Sequence, residues 1–268
     1  DTTMSFNLRC GTAPLLVSMP HIGTEIPAEL QAAYQPRALS VEDTDWHLHR
    51  LYDFLPALGA SVLTPRYSRY VIDLNRPPDN APMYPGASNT ELCPTRFFTG
   101  DPLYQTGCEP APEERLRRRE AYWRPYHDAL AGELQRLITV HGYALLWDAH
   151  SIRSQIPWLF EETLPDLNIG TANGASADAT VVDAVAKTCR EHPGVSHVVN
   201  GRFKGGYITR HYGAPQRHVH AVQLEMCQVL YMEETLPFAY DEHKAQAIQP
   251  LLQAMMTRAL AACQALYA

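Results

Sequence analysis

The sequence predicts an α/β fold built on a largely parallel sheet, and two observations lead there. Short apolar runs recur along the chain, and each closes on polar or titratable residues. They are Leu15–Ser18 before Pro20-His21, Tyr70–Leu74 before Asn75-Arg76, Tyr143–Trp147 before Asp148 and His150, and Ala221–Glu225. Stretches with helical spacing separate these runs, the alternation expected of α/β proteins. In an open sheet of this kind, ligands gather beyond the carboxyl ends of the strands. Four strands with polar ends therefore point to one shared site.

Taken in order, Leu15–Ser18 reads as a short strand closed by Met19-Pro20-His21. Ser40-x-x-Asp43 resembles a helix-initiating capping box, with Asp in place of the usual Glu. The helix it would open carries Leu48, Leu51, Leu55 and Leu58 as its apolar stripe and stops at Gly59. Ser61–Thr64 and Tyr70–Leu74 read as strands, the second ending at Asn75-Arg76. Residues 76–112 are rich in Pro, Gly, Asn and Thr, and read as a long loop that walls the site. Residues 112–140 form a long helical stretch with Leu116, Trp123, Leu130, Leu134 and Leu137 inward, kinked or split at Pro125. His141-Gly142 ends it. A helix over 181–190, a strand over 195–199 and a final amphipathic helix over 242–267 complete the pattern.

The 268 residues suffice for one large α/β domain or two small ones, and 46% hydrophobic against 19% charged residues is ordinary for a globular chain. A net charge of −7 argues against a general nucleic-acid footprint, which would be basic. It leaves room for an anionic substrate, because a few arginines suffice for a local positive pocket. No apolar run approaches the roughly 18 residues of a membrane helix, and Asp1–Cys10 lacks the pattern of a signal peptide. Cys10, Cys93, Cys108, Cys189, Cys227 and Cys263 are scattered without a CxxC pair. A cytoplasmic protein with reduced thiols is expected, and no cysteine-based zinc site.

Several side chains could carry chemistry. His21 sits in a turn fixed by Pro20 and Gly23; it is a metal ligand or a histidine bonded to the backbone, with Glu25 a second possible ligand. Asp45, three residues before Leu48, would face the core near the start of the predicted helix. A buried carboxylate there needs a partner: a metal, an arginine or backbone amides. Asp43 would fall on another face as a cap. His47 and His49 would lie on opposite sides of that helix, as surface or packing residues. Asn75-Arg76 is suited to clamp a carboxylate, through a guanidinium fork and an amide donor, or Arg76 pairs with Asp73. Arg69 and Arg210 are further cations. Tyr207, after Gly205-Gly206, sits on a mobile segment or in a hairpin turn. Glu225 is a general base beside a metal, or half of a salt bridge. Asp148 would orient His150 through the second ring nitrogen, or pair with Arg153. There is no His-Glu-x-x-His, Walker loop, Gly-x-Ser-x-Gly or Gly-x-Gly-x-x-Gly motif. Together the residues make a set for metal-assisted hydrolysis next to a carboxylate.

The motifs Pro20-His21-x-Gly23, Asp43-Thr-Asp45-Trp46, Asp73-Leu-Asn75-Arg76-Pro77, Asp148-Ala-His150-Ser151, Gly205-Gly-Tyr207-Ile-Thr-Arg210 and Gln223-Leu-Glu225 occur in this order. With them the chain resembles the N-formylglutamate deformylase (N-formylglutamate amidohydrolase) family, distantly similar to zinc carboxypeptidases. The resemblance implies one domain over residues 1–268, with a mixed sheet of the zinc-carboxypeptidase-like, phosphorylase/hydrolase-like kind. It implies one zinc, or another first-row divalent metal, held by His21, a carboxylate and His150, with Glu225 as general base. Carboxypeptidases take the carboxylate ligand from His-x-x-Glu, but Thr24 stands at that place here. Asp45 is then the first choice and Glu25 the second. The implied reaction is hydrolysis of N-formyl-L-glutamate to formate and L-glutamate, in histidine degradation. Asn75 and Arg76 would hold one substrate carboxylate, and Arg210 or Arg69 the other, with Tyr207 nearby. A related amidohydrolase for another N-acyl amino acid is the alternative within enzymes. A binder of acidic amino acids that lost its metal is the alternative outside them. No membrane, nucleic-acid or protein partner is expected.

Overall fold

The structure, a computed structural model, describes residues 4–82 and 91–268. Its seven strands are β1 (Phe6–Arg9), β2 (Leu15–Ser18), β3 (Ser61–Pro65), β4 (Ala144–Ile152), β5 (Leu167–Gly170), β6 (His197–Val199) and β7 (Val219–Cys227). They form one mixed sheet in the order β1-β3-β2-β4-β7-β5-β6. The central neighbours β3, β2, β4 and β7 run parallel, while β1 joins β3 and β5 joins β7 antiparallel. Every residue of β2, β4 and β7 is buried, as expected of parallel strands covered on both faces.

Helices cover both faces: α1 (Leu48–Leu51), α2 (Pro112–Arg118), α3 (Arg124–His141), α4 (Ala179–Arg190), α5 (Tyr207–Tyr212) and α6 (Glu242–Leu266). Side chains alternate along the strands. Leu145, Trp147 and Ala149 of β4, with Val222 and Leu224 of β7, pack with residues of α4 and α6. Ala144 and Leu146 pack on the other face with Trp123, Leu130, Leu134 and Leu137 of the α2–α3 region.

Four expectations change. Residues 70–74 are buried as predicted but form turns, not a strand. Side chains, not a neighbouring strand, satisfy three of their carbonyls. Tyr34 Oη donates to Tyr70 O at 2.8 Å, Arg118 to Val71 O at 3.1 Å, and His127 Nε2 to Leu74 O at 2.8 Å. A stranded buried carbonyl would cost about 1–3 kcal/mol, so the apolar run is buried without joining the ladder. The helix predicted from Ser40 is also absent as such. Ser40 Oγ donates to Arg37 O, Val41 is left-handed, and only Leu48–Leu51 is α-helical, with a 3₁₀ turn at Pro56–Leu58. Asp43 and Asp45 therefore lie on irregular chain, and Asp43 is no cap.

The stretch after Pro112 is split as expected, by a π-helical turn over Arg119–Trp123 with Pro125 in the first turn of α3. Leu116 is 51% exposed rather than inward, because Arg118 takes the buried position and donates to Tyr104 Oη at 2.7 Å. Finally, Gly205-Gly206 opens α5 instead of a hairpin. Within the expected loop over 76–112, residues 83–90 lie outside those described. Its described part packs Leu92, Phe97, Leu103 and Tyr104 into the core. No described helix is long and apolar enough to cross a membrane.

Candidate active site

The carboxyl ends of β2, β4 and β7 deliver the chemistry. Asp148 and His150 lie within β4, two residues apart and so on one face. The register sets His150 directly opposite Glu225 of β7. The turn after β2 brings His21 alongside, its ring centroid 5.0 Å from that of His150. The backbone N–H of Asp45 donates to His21 O at 3.0 Å, which swings the irregular 41–47 segment over the sheet end.

His21, Asp45 and His150 are all buried and offer ligand atoms within 4.8 Å of one another, a group able to hold a metal ion. Asp45 Oδ2 lies 3.3 Å from His150 Nδ1 and 3.8 Å from His21 Nδ1. The opposite ring nitrogens are spoken for: His21 Nε2 meets Asp73 Oδ1 at 2.6 Å, and His150 Nε2 meets Asp148 Oδ2 at 2.5 Å. A carboxylate can only accept, so it holds the proton on Nε2 and turns the Nδ1 lone pair toward Asp45. Two lone pairs facing a carboxylate call for a cation between them. Asp45 Oδ2, Asp73 Oδ2, Asp148 Oδ1 and Glu225 Oε1 are buried without a hydrogen-bond partner. These residues fit a divalent ion.

The electrostatics agree. Burial, and then Arg69, keep the His21 pKa below its ordinary value. Burial also opposes charging of His150, but Asp148 and the contact with Asp45 outweigh it and raise the imidazole well above the usual range. Burial pushes the Glu225 carboxyl up to about 8, with Asp45 and Asp148 adding to it against His150 and Arg69. Asp73 stays well below the ordinary carboxylate range; burial resists this, and His21, Arg76 and Arg69 outweigh it.

Other predicted residues separate into those the fold brings to this cluster and those it does not. Arg69 is buried beside it, its guanidinium 3.6 Å from both Asp45 and Asp73 and stacked 4.7 Å from the Phe98 ring. Asn75 is held on three sides. Its N–H donates to Asp73 Oδ1 at 2.8 Å, and its Oδ1 accepts from Ile208 N at 2.9 Å. Its amide also sits so close to Gly206 that a Cβ there would lie 2.3 Å from Nδ2. With Oδ1 committed, Nδ2 points to the cluster, 3.4 Å from His150 Nε2. Arg76 donates to Asn75 O and lies 3.9 Å from Asp73.

Tyr207 starts α5 among Trp123, His127 and His211, with ring centroids 5.8, 5.6 and 4.8 Å away. Arg210 is exposed and donates to Gly205 O at 2.8 Å. Glu25, the alternative ligand, lies outside this group. Its carboxylate is 52% exposed and forms a two-pronged pair with Arg66, at 2.7 and 3.1 Å. Arg153 pairs with Asp43, not Asp148, and Asp43 also accepts from Tyr70 Oη and Phe98 N. His47 bonds Phe238 O and, like His49, stays outside the cluster.

Sequence reasoning missed Asp73 as the partner of His21, because 52 residues separate them and no spacing rule links them. It also missed Gln223, whose Oε1 accepts from Gly206 N at 2.8 Å and pins the start of α5.

Convergent titratable side chains, buried at the carboxyl ends of parallel strands, define an α/β enzyme-type site with a place for a metal. A family model described as N-formylglutamate amidohydrolase matches residues 13–232. Over 261 residues, 97% of each chain, the sequence is 53% identical to the N-formylglutamate deformylase of Pseudomonas putida and 51% identical to that of Pseudomonas aeruginosa. The chain belongs to the N-formylglutamate amidohydrolase family. Its fold matches the crystal structure of N-formylglutamate amidohydrolase from Ralstonia eutropha JMP134, with a TM-score of 0.80 at 24% identity over 98% of both chains.

Proposed function

We propose that this protein hydrolyses N-formyl-L-glutamate to L-glutamate and formate, as a zinc-dependent deformylase of one domain serving histidine degradation. The observation that carries the metal dependence is the convergence of His21 Nδ1, His150 Nδ1 and the unpartnered Asp45 Oδ2, with Asp73 and Asp148 behind the two rings. A divalent ion bound there supplies Lewis acidity toward a carbonyl oxygen and makes water more acidic. Two imidazoles and a carboxylate suit zinc. The family membership and the two deformylase relatives support the substrate.

Glu225 acts as the general base. Its carboxylate accepts a proton as water adds to the formyl carbon, and returns it to the nitrogen as the C–N bond breaks. Formate and the free amine result. Asn75, with Nδ2 turned to the cluster, and Arg76 hold one carboxylate of the substrate. Arg69, buried at the cluster 3.6 Å from Asp45 and Asp73, is the nearer candidate for a second anionic contact; Tyr207 and Arg210, on the helix α5 that is tied to Asn75 through Ile208 N, are the others. All six thiols are free, which supports the cytoplasmic location.

The test is formate release from N-formyl-L-glutamate, with N-formyl-aspartate and N-acetyl-glutamate alongside, before and after chelation and zinc restoration. Turnover of N-formyl-L-glutamate that is lost to chelator and restored by zinc is expected. Full activity in the metal-stripped protein would overturn the metal dependence, and preference for another acyl amino acid would overturn the substrate.

A further inference from the structure

Asp45 occupies a demanding position. It is 1% exposed, it stands on chain with no regular structure between two left-handed residues, Val41 and His47, and its Oδ2 has no hydrogen-bond partner. Something other than a helix or strand must hold its carboxylate against the two imidazoles. The backbone on either side of it answers this. Gln228 Nε2 donates to Thr44 O at 3.1 Å, and Tyr231 Oη donates to Trp46 O at 2.6 Å. The residues before and after Asp45 are thus both gripped from the segment that follows β7.

Ser151, next to His150 on β4, joins the two grips. The phenol has one proton, and Trp46 O, a carbonyl, can only accept it. The 2.7 Å contact between Tyr231 Oη and Ser151 Oγ must then be donated by the serine. Ser151 Oγ accepts in turn from the second N–H of Gln228, at 3.3 Å. The protons run one way, from Gln228 to Ser151 to Tyr231 to Trp46, and all three side chains are at most 2% exposed. With the bond from Asp45 N to His21 O, this chain couples the backbone around all three candidate ligands.

We propose that Gln228, Ser151 and Tyr231 are positioning residues for the metal site, which fix Asp45 opposite His21 and His150 without touching substrate. This rests on the reading of those three as metal ligands. Residues that orient ligands typically contribute about 10- to 100-fold in metal affinity. Tyr231→Phe keeps the buried ring and removes one link; Ser151→Ala removes the hub with a smaller change of volume.

The experiment measures zinc affinity of the full chain by competition with a chromophoric chelator, alongside thermal unfolding of the metal-free proteins and steady-state kinetics at saturating zinc. Tyr231→Phe and Ser151→Ala should each weaken zinc binding about 10- to 100-fold, with KM for N-formyl-L-glutamate unchanged once zinc saturates. Should Tyr231→Phe fail to fold, Ser151→Ala alone decides. Wild-type zinc affinity in a folded variant overturns the proposal, and so does a loss confined to KM. Failure of the wild-type chain itself to bind zinc, or retention of wild-type affinity by Asp45→Asn, overturns the underlying metal reading instead.

Discussion

His127 offers a measurement that reaches from a proton to the substrate clamp. It is buried on α3, stacked 3.7 Å from Trp123, with Nδ1 2.7 Å from Tyr212 Oη and Nε2 2.8 Å from Leu74 O. The carbonyl requires a proton on Nε2, so Nδ1 accepts from the phenol and the ring is neutral. Burial lowers its pKa from 6.5 to about 3; the Leu74 carbonyl resists, and His211 and Arg124 add to the lowering. In the unfolded chain the same ring titrates near its ordinary value. The unfolded state therefore binds the proton first as pH falls, and the neutral ring's contribution to stability is full above about pH 6.5 and lost toward about pH 3.

Each pKa unit is worth about 1.4 kcal/mol. From about pH 8 to about pH 5, this one group should thus remove about 2 kcal/mol of stability. The assay is urea unfolding at both pH values for the wild type and for His127→Gln, which does not titrate and keeps an amide donor for Leu74 O. The wild type should lose about 2 kcal/mol more than the variant over that interval. Equal losses in the two proteins would show that His127 is not held neutral. The reasoning about the 70–76 segment would fall with it.

The other expectations concern the site directly. Glu225→Gln should retain zinc and lose about 100- to 10,000-fold in kcat; a wild-type kcat removes the general-base role. Arg76→Ala should weaken substrate binding by about 2–5 kcal/mol, read as KM in steady-state kinetics, and an unchanged KM refutes the clamp. Asp73→Asn takes away the carboxylate behind His21 and should lower zinc affinity about 10- to 100-fold in a chelator competition. Equal affinity would make Asp73 a structural charge only. Gly206→Ala places a methyl 2.3 Å from Asn75 Nδ2. The amide must move, and kcat/KM should fall on the order of 100-fold; unaltered kinetics would mean that Asn75 does not contact substrate.

The central strands were legible because parallel strands buried on both faces are written as unbroken apolar runs, and β2, β4 and β7 fall where those runs do. β4 and β7 run on through His150 and Glu225, past the apolar signal, because polar side chains on one strand face are sheltered by the site itself. The same signal misled at Tyr70–Leu74, where burial is real but Tyr34, Arg118 and His127 replace a neighbouring strand. β1, an edge strand with no fully buried residue, and β5, whose apolar run is broken by Asn168, carry no such signal.

Asp45 was expected in the core from helical spacing, yet it arrives there on irregular chain, through a bond to His21 O and grips on its neighbours. Asp148 could be assigned to His150 because a two-residue step on a strand keeps one face. Asp73 could not be assigned to His21, since only the tertiary fold makes them neighbours.

The pairing of His150 with Glu225 in adjacent buried strands also governs how the site comes apart. Their amides belong to the ladder between β4 and β7 at the centre of the sheet, so they should exchange with deuterium only through global opening. The segment bearing Asp45 has no ladder and hangs on one backbone bond to His21 and a few side-chain bonds. Under rising denaturant, an ion held as proposed should escape from the Asp45 side while Glu225 and His150 still face each other. The protein would then pass through a state that is folded, metal-free and able to reload.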